Sequence, residues 1–247
     1  MADTQQDPQA RAGILVGSVA RGEERDDSDI DLYLVLSDRE LDRRLAAGRT
    51  AHVVRCDDLW PGGYLDVKYL SRHLLDRAVT EADEPLRASV VAARVLWDHD
   101  GGIDTVLAAL LDLEAVPWQQ RVDSFLAQAW LQGSYFLPDA VRRGDVFGAQ
   151  WATGHLRFAA ARAVLASRRV LFAGPKYLTA TLEALELPNG MLAAWHAAAE
   201  PDPTMAKALL DVLSTEFGTP TVDDRLSRYI LDHEWAWYHH GLPPEYC

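Results

Sequence analysis

A chain of 247 residues is long enough for one large or two small domains, and 49% apolar with 25% charged residues excludes a fibrous or disordered polymer. Two cysteines, Cys56 and Cys247, exclude a disulfide framework, and no apolar run reaches bilayer length behind the polar start Met1-Ala2-Asp3-Thr4, so a cytoplasmic protein without a membrane partner is expected. The net charge of −13 sits mostly in residues 1–117, with 23 acidic and 13 basic side chains against 14 and 11 in residues 118–247; this balance argues against a nucleic-acid partner and favours a cationic small molecule.

In chain order, the first apolar run, Ile14-Leu15-Val16, marks a strand over 13–17. Gly17-Ser18 follows, then ten residues, then Asp29-Ile30-Asp31-Leu32 opening a second strand over 30–36. Carboxylates two apart on a strand point to one face, so Asp29 and Asp31 can share divalent cations while Ile30 and Leu32 anchor the strand. Hard oxygen ligands of this kind suit Mg²⁺ carrying nucleotide phosphates. Gly17 permits a tight turn close to a ligand, and Ser18 adds a hydroxyl and an N–H that can face a phosphate oxygen. Four fixed positions at ordinary residue frequencies match by chance on the order of 10⁻³ over such a length.

Beyond it, residues 38–47 read as a helix opened by Ser37 or Asp38 and closed by Gly48, and 51–55 as a short strand. Residues 64–70 alternate with period two, which puts Asp66 and Lys68 on one face and apolar residues on the other. Helices over 71–81 and 84–92, a strand over 93–97 and a helix over 103–114 complete the first half. From Pro117 the texture becomes Ala/Leu-rich and helical, over 119–136, 142 or 144 to 168, 175–187, 191–199, 203–217 and 222–239, punctuated by Pro138, Pro175, Pro188, Pro203 and Pro220. Trp118, Trp130, Trp151 and Trp195 recur at helical positions and are expected in the core, and Trp235, Trp237 and Tyr238 are expected to pin the last helix. The fold class read from this order is α+β: a mixed sheet with flanking helices over 1–116, then an all-helical bundle over 117–247.

The stretch Gly17, Ser18, Ala20, Arg21, Gly22, Ser28, Asp29, Asp31 and Leu32 resembles the Gly-Ser-x-Ala-Arg-Gly … Ser-Asp-x-Asp-Leu signature of the DNA polymerase β-like nucleotidyltransferases, in particular the small bacterial antibiotic-type members. The resemblance is dense over sixteen residues and weak elsewhere. It implies a nucleotidyltransferase fold in the first domain and a helical acceptor-binding domain after it. It also implies a third carboxylate from a later strand, a part for which Asp66 has the right place, either as metal ligand or as general base. Gly174-Pro175-Lys176 looks like the helix start from which, in related enzymes, a lysine reaches the nucleotide phosphates.

The expected activity is therefore Mg²⁺-dependent transfer of a nucleoside monophosphate, AMP from ATP, onto a hydroxyl of a small acceptor. Asp29, Asp31 and Asp66 would hold two Mg²⁺, with Gly17, Ser18, Arg21, Ser28 and Lys176 on the phosphates. By resemblance the acceptor class is an aminoglycoside- or lincosamide-type antibiotic, an antibiotic-resistance role. An antitoxin-like transferase that adenylylates a protein, and a non-catalytic nucleotide-binding module, stay open at this stage, as does the oligomeric state.

Overall fold

The computed structural model describes residues 9–26, 28–56, 63–81, 84–114, 116–188, 190–235 and 238. Its chain separates into two compact units, Met1–Ala115 and Val116–Cys247. The first unit runs β1 (Ala10–Val16), α1 (Gly17–Arg21), β2 (Ile30–Leu36), α2 (Asp38–Ala46), β3 (Ala51–Arg55), β4 (Tyr64–Ser71), α3 (Arg72–Glu81), α4 (Glu84–Ser89), β5 (Arg94–Asp98) and α5 (Ile103–Leu110). Five strands form one sheet in the order β3-β4-β2-β1-β5. Only β2 and β4 run parallel, and the other neighbours are antiparallel. This mixed sheet with helices around it, followed by a helical region, is the α+β class expected.

Period two explains how the sheet is filled. Ala12, Ile14 and Val16 of β1 join Tyr33 and Val35 of β2 and Leu70 of β4 on one face, where Leu75, Ala78, Ile103, Val106 and Leu110 of α3 and α5 cover them. Leu15, Leu32, Leu34, Leu36, Val67 and Tyr69 take the other face with Leu41 of α2. Strand β1, flanked by β2 and β5, is buried at every position but Arg11. It starts earlier than expected because Ala10 and Ala12 are also buried, and it stops at Val16 because Gly17 opens a five-residue helix. That helix is too short and too glycine-led to show as a helical period in sequence.

The second unit comprises α6 (Trp118–Leu131), a π-helical turn Gln132–Phe136, α7 (Leu137–Arg143), α8 (Val146–Ser167), α9 (Pro175–Glu183), α10 (Met191–Ala197), α11 (Pro203–Phe217), α12 (Val222–Tyr229) and a second π-helical turn Ile230–Glu234. Helix α8 is its centre, and buried Ala152, Ala159, Ala160, Ala163 and Ala166 let neighbours come close. Pro138 does not end the helical path as expected: it sits in the first turn of α7, where its missing N–H costs nothing, and the π-turn before it absorbs the misfit.

Trp118 and Trp195 are buried as expected, but Trp151 is 56% exposed, stacked between Phe147 and His155 at 6.0 and 4.4 Å along the outer side of α8. Trp235 and Tyr238 are exposed too and do not pin the last helix, while Trp237 lies outside the described residues. A tryptophan on a helix signals a face only when its neighbours at three and four residues agree, and here those neighbours form a surface strip of their own. Among the described residues no helix is long and apolar enough to cross a membrane.

Candidate active site

Strand β1 ends where β2 and β4 begin, and the carboxylates gather at that end of the sheet. Val16 of β1 is the register partner of Asp31. On the other side of β2, the parallel pairing sets Asp31 directly against Asp66 and Ile30 against Leu65. Asp29 stands two residues ahead of Asp31, so its side chain falls on the same face. The result is a trio, Asp29, Asp31 and Asp66, whose carboxylate oxygens lie within 4.8 Å of one another, all partly buried. Such an all-oxygen donor set, with oxygens close enough to share an ion, fits a hard divalent cation of the Mg²⁺ type.

A lysine offsets part of this charge. Lys68 Nζ lies 2.8 Å from Asp66 Oδ2 and 3.7 Å from Asp31 Oδ1. Partial burial works against its ammonium, but the Asp66 hydrogen bond and the charges of Asp66, Tyr33 and Asp31 outweigh that, so its pKa is raised above the ordinary lysine value. Tyr64, two residues before Asp66 on β4, donates its hydroxyl to Asp29. That bond, followed by the negative charge of Asp29, raises the Tyr64 pKa, with burial, Asp66 and Asp31 adding to it. Nothing in the sequence marks Tyr64 as a site residue beyond the alternation that places it on one face with Asp66 and Lys68.

Gly17 is the floor of the site. Its φ of +75° is one that L side chains avoid, and a Cβ at this position would run into the Asp31 carboxylate. Ser18 follows in α1, whose Val19 and Ala20 pack on the core below. Gly22 closes α1 in the left-handed conformation, its N–H donating back to the Val19 carbonyl. The remaining expected phosphate ligands are placed differently. The Arg21 guanidinium is bonded to Glu23 at 2.7 Å, which compensates its charge locally. Ser28 organises its own loop, its Oγ accepting from the Arg25 N–H at 2.8 Å. Lys176 belongs to the second unit, in the first turn of α9 behind Pro175, with its ammonium 4.8 Å from the Tyr177 ring.

Residues 6–80 match the family model of the nucleotidyltransferase domain, a span that holds β1, β2, β4 and all three carboxylates. No curated protein matches the chain in sequence. A solved structure of a nucleotidyltransferase-like protein from Exiguobacterium sibiricum 255-15 aligns with 98% of this chain and 89% of its own, at 12% identity and a TM-score of 0.46. The domain match supports a transferase enzyme, and the three converged carboxylates could hold a metal ion.

Proposed function

We propose that the protein transfers a nucleoside monophosphate, AMP from ATP, to a hydroxyl of a small cationic acceptor and releases pyrophosphate. The observation that carries this reading is the convergence of Asp29, Asp31 and Asp66 within 4.8 Å over the Gly17 turn, inside the stretch that matches the nucleotidyltransferase domain. Two Mg²⁺ held by the trio would supply Lewis acidity to the phosphates and lower the pKa of the acceptor hydroxyl. Gly17 and Ser18 would receive the phosphates on backbone N–H groups, Ser28 would add its hydroxyl, and Arg21 and Lys176 would add positive charge, Arg21 after leaving Glu23. Asp66, which accepts from Lys68, would exchange that partner for a metal ion or take the acceptor proton.

In this reading residues 1–116 are the catalytic domain and 117–247 the acceptor-binding domain of a cytoplasmic enzyme. The acceptor class that the resemblance implies is an aminoglycoside- or lincosamide-type antibiotic, and an acidic catalytic half, which attracts a cation and repels nucleic acid, is compatible with it. The test is a panel assay: protein, labelled ATP and Mg²⁺ with aminoglycosides and lincosamides, read as pyrophosphate release and label on the acceptor. Release from at least one acceptor, falling by at least about a thousandfold in Asp31→Asn, is expected. Label accumulating on protein instead would overturn the small-acceptor reading, and unchanged turnover in Asp31→Asn would overturn the site.

A further inference from the structure

No step of the proposed transfer uses the ammonium of Lys68, yet that group meets two of the three carboxylates. Lys68 stands on β4 two residues beyond Asp66, on the same face of the strand. The parallel register sets Asp31 beside Asp66 and Tyr33 beside Lys68, so the lysine starts one pleat further into the sheet than the carboxylate pair. Its long arm reaches back to that pair and brings Nζ to 2.8 Å from Asp66 Oδ2 and 3.7 Å from Asp31 Oδ1.

A divalent ion shared by Asp31 and Asp66 draws on the same two carboxylates, which belong to the donor set whose oxygens lie within 4.8 Å of one another. An ammonium bonded to one carboxylate and paired with the other takes up lone pairs that the ion needs, and its charge repels a second cation from the same place. The arm is also free to yield. Its side chain is 45% exposed, against 24% for Asp31 and 27% for Asp66, and a lysine carries a compact, strongly hydrated charge on a flexible stem that can swing into water.

We propose that Lys68 is a tethered cation that competes with the divalent ion for the Asp31–Asp66 pair. Its bonds keep the two carboxylates together and, through the same oxygens, weaken the hold on the ion. The proposal rests on the metal-dependent reading of the trio given above.

Mn²⁺ binding to the full chain, followed by the electron paramagnetic resonance signal of the free ion, tests it with no nucleotide or acceptor present. Lys68→Met is expected to bind Mn²⁺ at least about tenfold tighter than the native protein. Lys68→Gln, also neutral, is expected to do the same and replaces it if circular dichroism shows that methionine disturbs the fold. Lys68→Arg keeps the charge and is expected to bind no more tightly than the native protein. Lys207→Met removes a lysine charge that is paired with Asp211 in the other unit, and is expected to leave the affinity within about threefold of native. Asp31→Asn weakens binding by at least about tenfold. Affinity that is unchanged or lowered in the neutral variants, or a gain in Lys68→Arg or Lys207→Met equal to theirs, would overturn the competition. If Asp31→Asn still weakens binding in that case, the metal site stands without it. Binding that ignores Asp31→Asn, or no binding to any of these proteins, would overturn both.

Discussion

At the residue scale, Gly17 answers two demands at once, a positive φ and room for the Asp31 carboxylate. Replacing Gly17 by Ala imposes a left-handed conformation on a residue with a Cβ, at a cost of about 1–2 kcal/mol, and pushes Asp31 aside. We expect Gly17→Ala to lower the unfolding free energy by that amount and turnover by about a hundredfold, because ångström-scale misplacement of a catalytic group has that effect. Measuring both on one preparation separates the two: lost stability with full turnover would mean that Asp31 had not moved. Lys68 and Tyr64 are the neighbours that keep the trio together, one by charge and the other by donating to Asp29.

Between the elements, a few long polar side chains add ties to backbone or rings beyond the apolar core. In α2, Ser37 caps the helix by accepting from the Glu40 N–H at 3.4 Å, but Glu40 does not reach back to the cap as the Ser-x-x-Glu spacing suggests. Its carboxylate takes Arg43 and Arg44 instead, which hold its pKa at about 2, and Arg44 lies 3.8 Å over the Tyr69 ring, tying α2 to β4. Buried Arg87 donates to the Leu110 and Val79 carbonyls at 2.6 Å each, satisfying the open ends of α5 and α3. In the helical unit the π-turn at 132–136 sets propensity against packing. Gly133 to Ala gains about 1 kcal/mol by helix propensity, yet the new Cβ would meet Leu210 at 3.0 Å and Leu156 at 3.1 Å, both buried and without room to yield. We expect packing to prevail, with Gly133→Ala losing about 1 kcal/mol in chemical denaturation, whereas a gain would show that the π-turn relaxes to an ordinary helix.

Across the whole molecule, the acidic residues concentrate in the unit that holds the carboxylate trio. An ion bound by the native trio and not by the unfolded chain must stabilise by linkage. At a hundred times its dissociation constant, Mg²⁺ is expected to raise unfolding free energy by about 2.7 kcal/mol, and chelation to remove that gain. The check is a denaturation series with Mg²⁺ and with chelator for the native protein and Asp31→Asn; an equal gain in the variant would place the ion elsewhere.

Much of this was legible in the residue order, because side-chain direction on a strand is a local property. Period two alone puts Asp29 with Asp31, and Tyr64 and Asp66 with Lys68. The change of texture at Pro117 likewise announces a helical second half. What needed the tertiary structure was non-local. Register between β2 and β4 sets Asp31 against Asp66 across an intervening helix and strand, packing lays Gly17 under Asp31, Glu23 takes Arg21, and Trp151 faces outward. The order of residues determined which side chains share a face; only the folded neighbours, distant along the chain, decided which faces meet.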